Sequence, residues 1–292
     1  AVQEARAPME RSTLLASQAL RAAGPKGAPA PPASPLMPAA DLRRLQGVLD
    51  RFEISIAEAH ELAVLKDYEM VVIADDSGSM RQSAVPLHLR SLTGPDASRW
   101  DELRGTLGEM VEVMTCFDQS GVDIFFLNRP PVLGVKSAAD EEFVRSFAAP
   151  PGGSTPLTET LKRVAAKTAG ERPVLLVIFT DGEPNGGKEP FKRAVRQLVS
   201  TTAEHKVRIQ IMACTANDDE VAWLNDLDRE FYEVDVTDDY FSERAEVLRA
   251  GLAQRFTRGD WCMKAMLGPV SRKFDAWDEP ALTTSCESCS IM

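Results

Sequence analysis

Three short stretches of this 292-residue chain place oxygen-bearing side chains at spacings that suit a single task. The first reads Ala74-Asp75-Asp76-Ser77-Gly78-Ser79-Met80. Asp75, Ser77 and Ser79 sit two apart, so one short loop can turn all three toward a common point, and Gly78 relieves the backbone between them. The second, Phe179-Thr180-Asp181-Gly182-Glu183-Pro184, again puts an acid before a glycine. Between them comes Pro150-Pro151-Gly152-Gly153-Ser154-Thr155-Pro156-Leu157, a stiff turn that presents a hydroxyl just ahead of a helical pattern. None of the three offers His or Cys as a ligand. A donor set made only of oxygen selects hard cations such as Mg²⁺, Mn²⁺ or Ca²⁺ over zinc or copper. Two carboxylates balance a divalent ion, and neutral hydroxyls leave it electrophilic, with room for a carboxylate from outside.

Such a site needs a frame that brings distant loops to one place. Apolar runs of strand length occur at 69–74, 122–127, 174–180, 208–214 and 232–236. They are short and continuous, as expected of strands covered on both faces. Amphipathic helical patterns are predicted between and after them, at 98–117, 156–167, 188–201, 220–229 and 241–256. The clearest carries Trp100, Leu103, Leu107, Met110, Val111 and Met114 on one face, with Ser98 as N-cap and Asp101 three residues on. Strand–helix alternation predicts an α/β fold, a doubly wound and mostly parallel sheet with helices on both faces. In such sheets ligands bind beyond the carboxyl ends of the strands, which is where the loops at 74–80 and 179–184 fall.

On these residues the chain resembles the von Willebrand factor A domain with its metal-ion-dependent adhesion site. Asp75, Ser77 and Ser79 match the family's D-x-S-x-S, Thr155 its loop threonine, and Asp181 its later aspartate. The resemblance spans residues 66–256 and implies a Rossmann-like fold. It also implies a metal site made of Asp75, Ser77, Ser79, Thr155 and Asp181, loaded with Mg²⁺ (or Mn²⁺/Ca²⁺). In the family the hydroxyls bind the ion directly, the aspartates often do so through water, and the ion then accepts an acidic side chain from a protein partner. One departure is Gly152-Gly153-Ser154-Thr155, where many members have only two glycines before the threonine; Thr155 rather than Ser154 is the favoured ligand. A second is the long stretch 81–97 ahead of the first helix, expected to form a rim or lid. Asp76 is expected to be structural and Glu183 a solvated loop acid.

Enzyme classes fit less well. A haloacid-dehalogenase phosphatase needs a second Asp two residues after the first, where this chain has Ser77. A response-regulator receiver is imitated by Asp75, Asp76 and Thr180, but residues 208–216 supply no Lys. There is no Gly-rich nucleotide loop with Lys, no Gly-x-Ser-x-Gly elbow and no Cys–His pair in obvious register. The expected function is therefore a cation-dependent protein-binding module, non-enzymatic and without catalytic residues. The alternatives are a Mg²⁺-dependent phosphoryl-transfer enzyme or a structural subunit of a larger assembly. A formal net charge of −11 argues against nucleic acid as a partner. Residues 217–246 hold twelve acids against two bases, expected to be solvated faces rather than a second cation site.

The ends complete the predicted organisation. Residues 1–41 are a Pro-rich N-terminal arm, partly disordered, with six prolines between 24 and 41. Residues 42–65 are a leading helix, 66–256 the A-type domain, and 257–292 a tail. The chain ends Cys286-Glu287-Ser288-Cys289-Ser290-Ile291-Met292. Cys289 opens a C-a-a-X pattern whose terminal Met favours farnesyl, and Cys286 is positioned for a second acyl chain. This end, with the family resemblance, is similar to the copines in its cytosolic A domain. No apolar run reaches the ~20 residues of a membrane-spanning helix, no signal peptide is evident, and the five cysteines suggest no disulfide framework. A cytoplasmic protein is expected, peripheral on the cytoplasmic face of a eukaryotic membrane.

Overall fold

The structure, a computed structural model, describes residues 39–84, 97–168, 170, 172–201, 207–215, 217–251 and 253–277. The apolar runs form strands β1 (Glu69–Ala74), β2 (Val122–Phe126), β4 (Val174–Thr180), β5 (Val207–Ala213) and β6 (Val234–Thr237), with β3 (Val132–Val135) between the second and fourth. These make one six-stranded sheet in the order β3-β2-β1-β4-β5-β6. Every pairing is parallel except that of β2 with β3. β3 has no counterpart among the predicted strands. Its four residues, with Gly134 among them, carry too little period to read, and as an edge strand it leaves Leu133 exposed.

Helices α1 (Ala39–Arg51), α2 (Ile56–Leu62), α3 (Arg99–Met114), α4 (Glu141–Ala148), α5 (Leu157–Lys167), α6 (Lys188–Thr201), α7 (Asp218–Val221), α8 (Asn225–Glu230), α9 (Tyr240–Ala250), α10 (Arg258–Leu267) and α11 (Arg272–Asp275) flank the sheet in sequence. Strand residues alternate between two apolar clusters. Met70, Val72, Leu175 and Val177 enter one, which contains side chains of α3 and α10. Val71, Ile73, Leu176 and Ile178 enter the other, which contains side chains of α5 and α6. Every residue of β4 and β5 is buried; β4 is accordingly apolar up to its last residue, whereas β5 buries Arg208 and Gln210 at alternate positions. At the start of α3 the predicted cap forms: Ser98 Oγ accepts the Asp101 N–H at 3.2 Å while Asp101 accepts the Ser98 N–H at 3.1 Å.

Several bounds differ from the sequence expectation: the helix predicted over 220–229 is two pieces, α7 and α8, the one predicted over 241–256 ends at Ala250, and α4 has no predicted counterpart. The leading segment 42–65 is not one helix. Burial of both Phe52 and Ile54 requires the chain to turn between α1 and α2; Glu53 adopts a φ of 56°, and a Ser55–Glu58 capping box restarts the helix. The tail predicted from 257 is corrected over 257–277. α10 buries Trp261, Cys262, Ala265 and Met266, an i, i+1, i+4, i+5 set with helical period, inside the first cluster. Gly259 is required there, since a Cβ would overlap the Phe52 carbonyl oxygen. Lys264 is buried as well, its Nζ 2.9 Å from Glu243 Oε1. The Pro-rich arm up to residue 38, most of the predicted rim (85–96), and Cys286 and Cys289 lie outside the described residues. Among the described residues no helix is long and apolar enough to cross a membrane.

Candidate metal centre

The carboxyl ends of β1 and β4 lie side by side, with Ala74 and Phe179 in register. Asp75 and Asp181 therefore leave adjacent strands into neighbouring loops. Asp75 is fully buried. Its Oδ1 accepts the Ser77 N–H at 2.9 Å and its Oδ2 accepts the Thr180 hydroxyl at 2.9 Å. From there a chain of oxygens runs outward: Ser77 Oγ lies 3.0 Å from Ser79 Oγ, and the Ser79 hydroxyl donates to Asp181 Oδ1 at 2.8 Å. Burial, reinforced by the charge of Asp181, pushes the Asp75 carboxyl up to about 6 against the pull of the Ser77 and Thr180 hydrogen bonds.

The third loop reaches the same place. Gly78 N–H donates to Gly153 O at 3.2 Å, Gly152 N–H to Asp76 O at 2.8 Å, and Arg81 Nε to Pro151 O at 2.6 Å. Gly153 has a φ of +107°, and a Cβ there would meet Asn128 Oδ1 at 2.5 Å, so glycine is what lets this loop lie against the first. Thr155 is held by Asn185, whose N–H donates to Thr155 O at 2.8 Å and whose Oδ1 accepts the Thr155 N–H at 3.2 Å. Thr155, Ser79 and Asp181 line one polar hollow of about 370 Å³, together with Arg99, Lys188 and Glu220. Ser154 is exposed instead, its carbonyl accepting the Asn128 side-chain amide at 2.8 Å.

All five predicted ligand positions are thus gathered by three loops: Asp75, Ser77, Ser79 and Asp181 in one hydrogen-bonded chain, and Thr155 on the same hollow. The donor set is wholly oxygen, with a buried carboxylate whose ionisation burial opposes, and such a set suits a hard divalent cation. Asp76 turns the other way. Its Oδ2 accepts Arg129 Nε at 2.6 Å and its Oδ1 the Asn128 N–H at 2.8 Å. Glu183 is exposed, 3.7 Å from Lys188 Nζ.

Several residues of the site were not anticipated from sequence. Arg99 is the most consequential: its guanidinium donates to Asp181 Oδ2 at 2.9 Å, Thr215 Oγ1 at 2.7 Å and Glu220 Oε2 at 3.0 Å. A signal existed. Arg99 is the first helical residue after its cap, where the helix dipole disfavours a cation. Arg129, between Asn128 and two prolines, carried no comparable mark. Behind Arg99 lies a cavity of about 20 Å³, room for roughly one water, lined by Glu102, Asp239 and Cys214. Burial, then the charge of Asp181, pushes the Cys214 thiol well up, so it stays protonated and is a poor nucleophile.

The acidic window 217–246 is less uniformly solvated than expected, since Asp235, Asp239 and Glu243 are buried. Asp228, Asp235 and Asp275 bring one carboxylate oxygen each within 4.8 Å of one another.

No family model matches the chain, and no curated protein does. Among solved structures, the PilB minor pilin from Streptococcus sanguinis is similar at 11% identity with a TM-score of 0.43, over 73% of this chain. An Asp-to-Ala mutant of that pilin is similar at 12% identity with a TM-score of 0.44, over 72% of this chain. The chain spans 62% of the length of each.

Proposed function

We propose that the chain is a divalent-cation-dependent protein-binding module of the von Willebrand factor A type, doubly wound and non-enzymatic. The observation that carries this reading is the convergence of Asp75, Ser77, Ser79, Thr155 and Asp181, from three loops, beside one polar hollow. A bound Mg²⁺ or Mn²⁺ would supply an electrophilic position able to accept an acidic side chain from a protein partner. The chain's own residues prepare that position. Thr180 and the Ser77 amide orient Asp75, the Ser79 hydroxyl meets Asp181, and Asn185 holds the turn that carries Thr155. Both apolar clusters are built from strands and helices, so loss of the ion leaves the core in place.

Calorimetric titration of Mg²⁺ into wild type and Asp75→Ala tests the cation; equal affinity for the two proteins contradicts this reading. Capture of native partners with and without EDTA, repeated with Thr155→Ala, tests the protein ligand. Partners retained in EDTA would show that the metal face is not the binding face.

The proposal includes a tether at the cytoplasmic face of a membrane, supported by the C-a-a-X pattern at Cys289 and by the second thiol at Cys286. One lipid chain anchors only marginally. Cys289→Ser is expected to move the protein from the membrane to the soluble fraction of cells, and Cys286→Ser to move it partly. An unmodified, untrimmed C-terminus in the native protein would remove the tether and leave the metal reading standing.

A further inference from the structure

The hollow already contains a cation of its own. Arg99 is 7% exposed, and its guanidinium is divided between Asp181, itself 1% exposed, and Glu220, which is 34% exposed at the rim. The same Glu220 oxygen also accepts the Thr215 hydroxyl at 2.9 Å. The helix dipole does not favour an arginine at this position; the acceptors hold it there. Arg99 Nε is buried and has no hydrogen-bond partner, so the head group is not locked by a full set of bonds.

Resting on the metal reading above, we infer that Arg99 is a built-in competitor for Asp181, and that Glu220 sets the strength of the competition. A guanidinium bonded to one oxygen of Asp181 neutralises charge that an entering divalent ion would otherwise use. Glu220 draws the same guanidinium the other way. With Glu220 ionised, Arg99 is shared and Asp181 keeps more of its charge for the metal. Without that charge, Arg99 rests on Asp181 alone among the carboxylates it touches. Lys188, the other cation lining the hollow, lies 3.7 Å from Glu183. Because Glu220 stands at the open rim, a partner that engages it would change the metal affinity without touching a ligand.

The two charges therefore act in opposite directions, which a merely structural ion pair would not do. The test is calorimetric titration of the full chain with Mn²⁺, for wild type, Arg99→Gln, Arg99→Lys and Glu220→Gln, with metal-free thermal melts to report folding. Arg99→Gln is expected to bind on the order of tenfold more tightly and Glu220→Gln three- to tenfold more weakly, roughly the effect of one nearby charge. Arg99→Lys keeps the charge and should stay near wild type. Should Arg99→Gln fail to fold, Glu220→Gln decides the matter, since its side chain is partly exposed. Glu220→Gln binding as tightly as wild type, or more tightly, overturns the inference. So does equal weakening in both neutral variants, which would make the pair a structural clasp. Absence of Mn²⁺ binding in wild type and in every folded variant removes the metal reading itself, and the inference with it.

Discussion

Arg129 Nε donates to Asp76 Oδ2 at 2.6 Å, and Asp76 is completely buried while the same guanidinium lies 4.8 Å from the Trp100 ring centroid. Arg129 Nη2 also donates to Pro150 O at 3.2 Å. One side chain thus fastens the loop after β1, the start of the glycine turn and helix α3. The candidate ligand residues are held by a clamp that contains none of them.

Arg129→Met should therefore cost stability and metal affinity together. Removing one partner leaves Asp76 as an uncompensated buried charge, at a cost of about 3 kcal/mol. Urea unfolding measures this. A loss below about 0.5 kcal/mol, the scale of an ordinary surface substitution, would mean that the clamp is not needed.

The pH dependence of stability should carry the mark of Glu102. Burial, then the charge of Asp239, pushes its carboxyl up from 4.5 to about 7, with Arg258 opposing. A raised acid binds more protons folded than unfolded. Its stabilising contribution is present below about 4.5 and is lost as pH rises toward 7. Metal-free wild type should lose on the order of 2–3 kcal/mol across that range from this group, and Glu102→Gln should show a flatter profile. Parallel profiles for the two proteins in chemical denaturation at pH 5, 6 and 7 would contradict the assignment.

Helix α10 is expected to be indispensable. A chain ending after residue 256 loses Trp261, Met263 and Met266 from the core and leaves Glu243 without Lys264, so it should not fold cooperatively. A chain ending after residue 277 keeps α10 and α11 and should melt cooperatively. Lys264→Met should cost about 3–5 kcal/mol, the scale for breaking a buried ion pair. Circular dichroism melts separate these cases, and a cooperative transition for the shorter chain would show that α10 is an accessory.

What could be read from the sequence divides along physical lines. β1, β4 and helix α6 coincide with their predicted bounds because long, uniformly buried or amphipathic runs carry their own period. The five candidate ligands could be singled out because each sits on a loop directly after a strand or before a helix. β3 was not legible, being four residues at an edge. α10 was hidden by Arg258, Asp260 and Lys264, which dilute its apolar face although Lys264 is itself buried. Arg99 and Glu220 lie 121 positions apart and meet only through the fold. Long-range charge pairing of this kind has no local pattern.

The most direct test of the central claim is a crystal structure of the full chain grown with Mn²⁺, read by anomalous difference density. A single peak within coordination distance of Ser77, Ser79 and Thr155 oxygens, with Asp75 and Asp181 bound directly or through water, is the predicted result. No peak there, or a peak only among Asp228, Asp235 and Asp275, would contradict it.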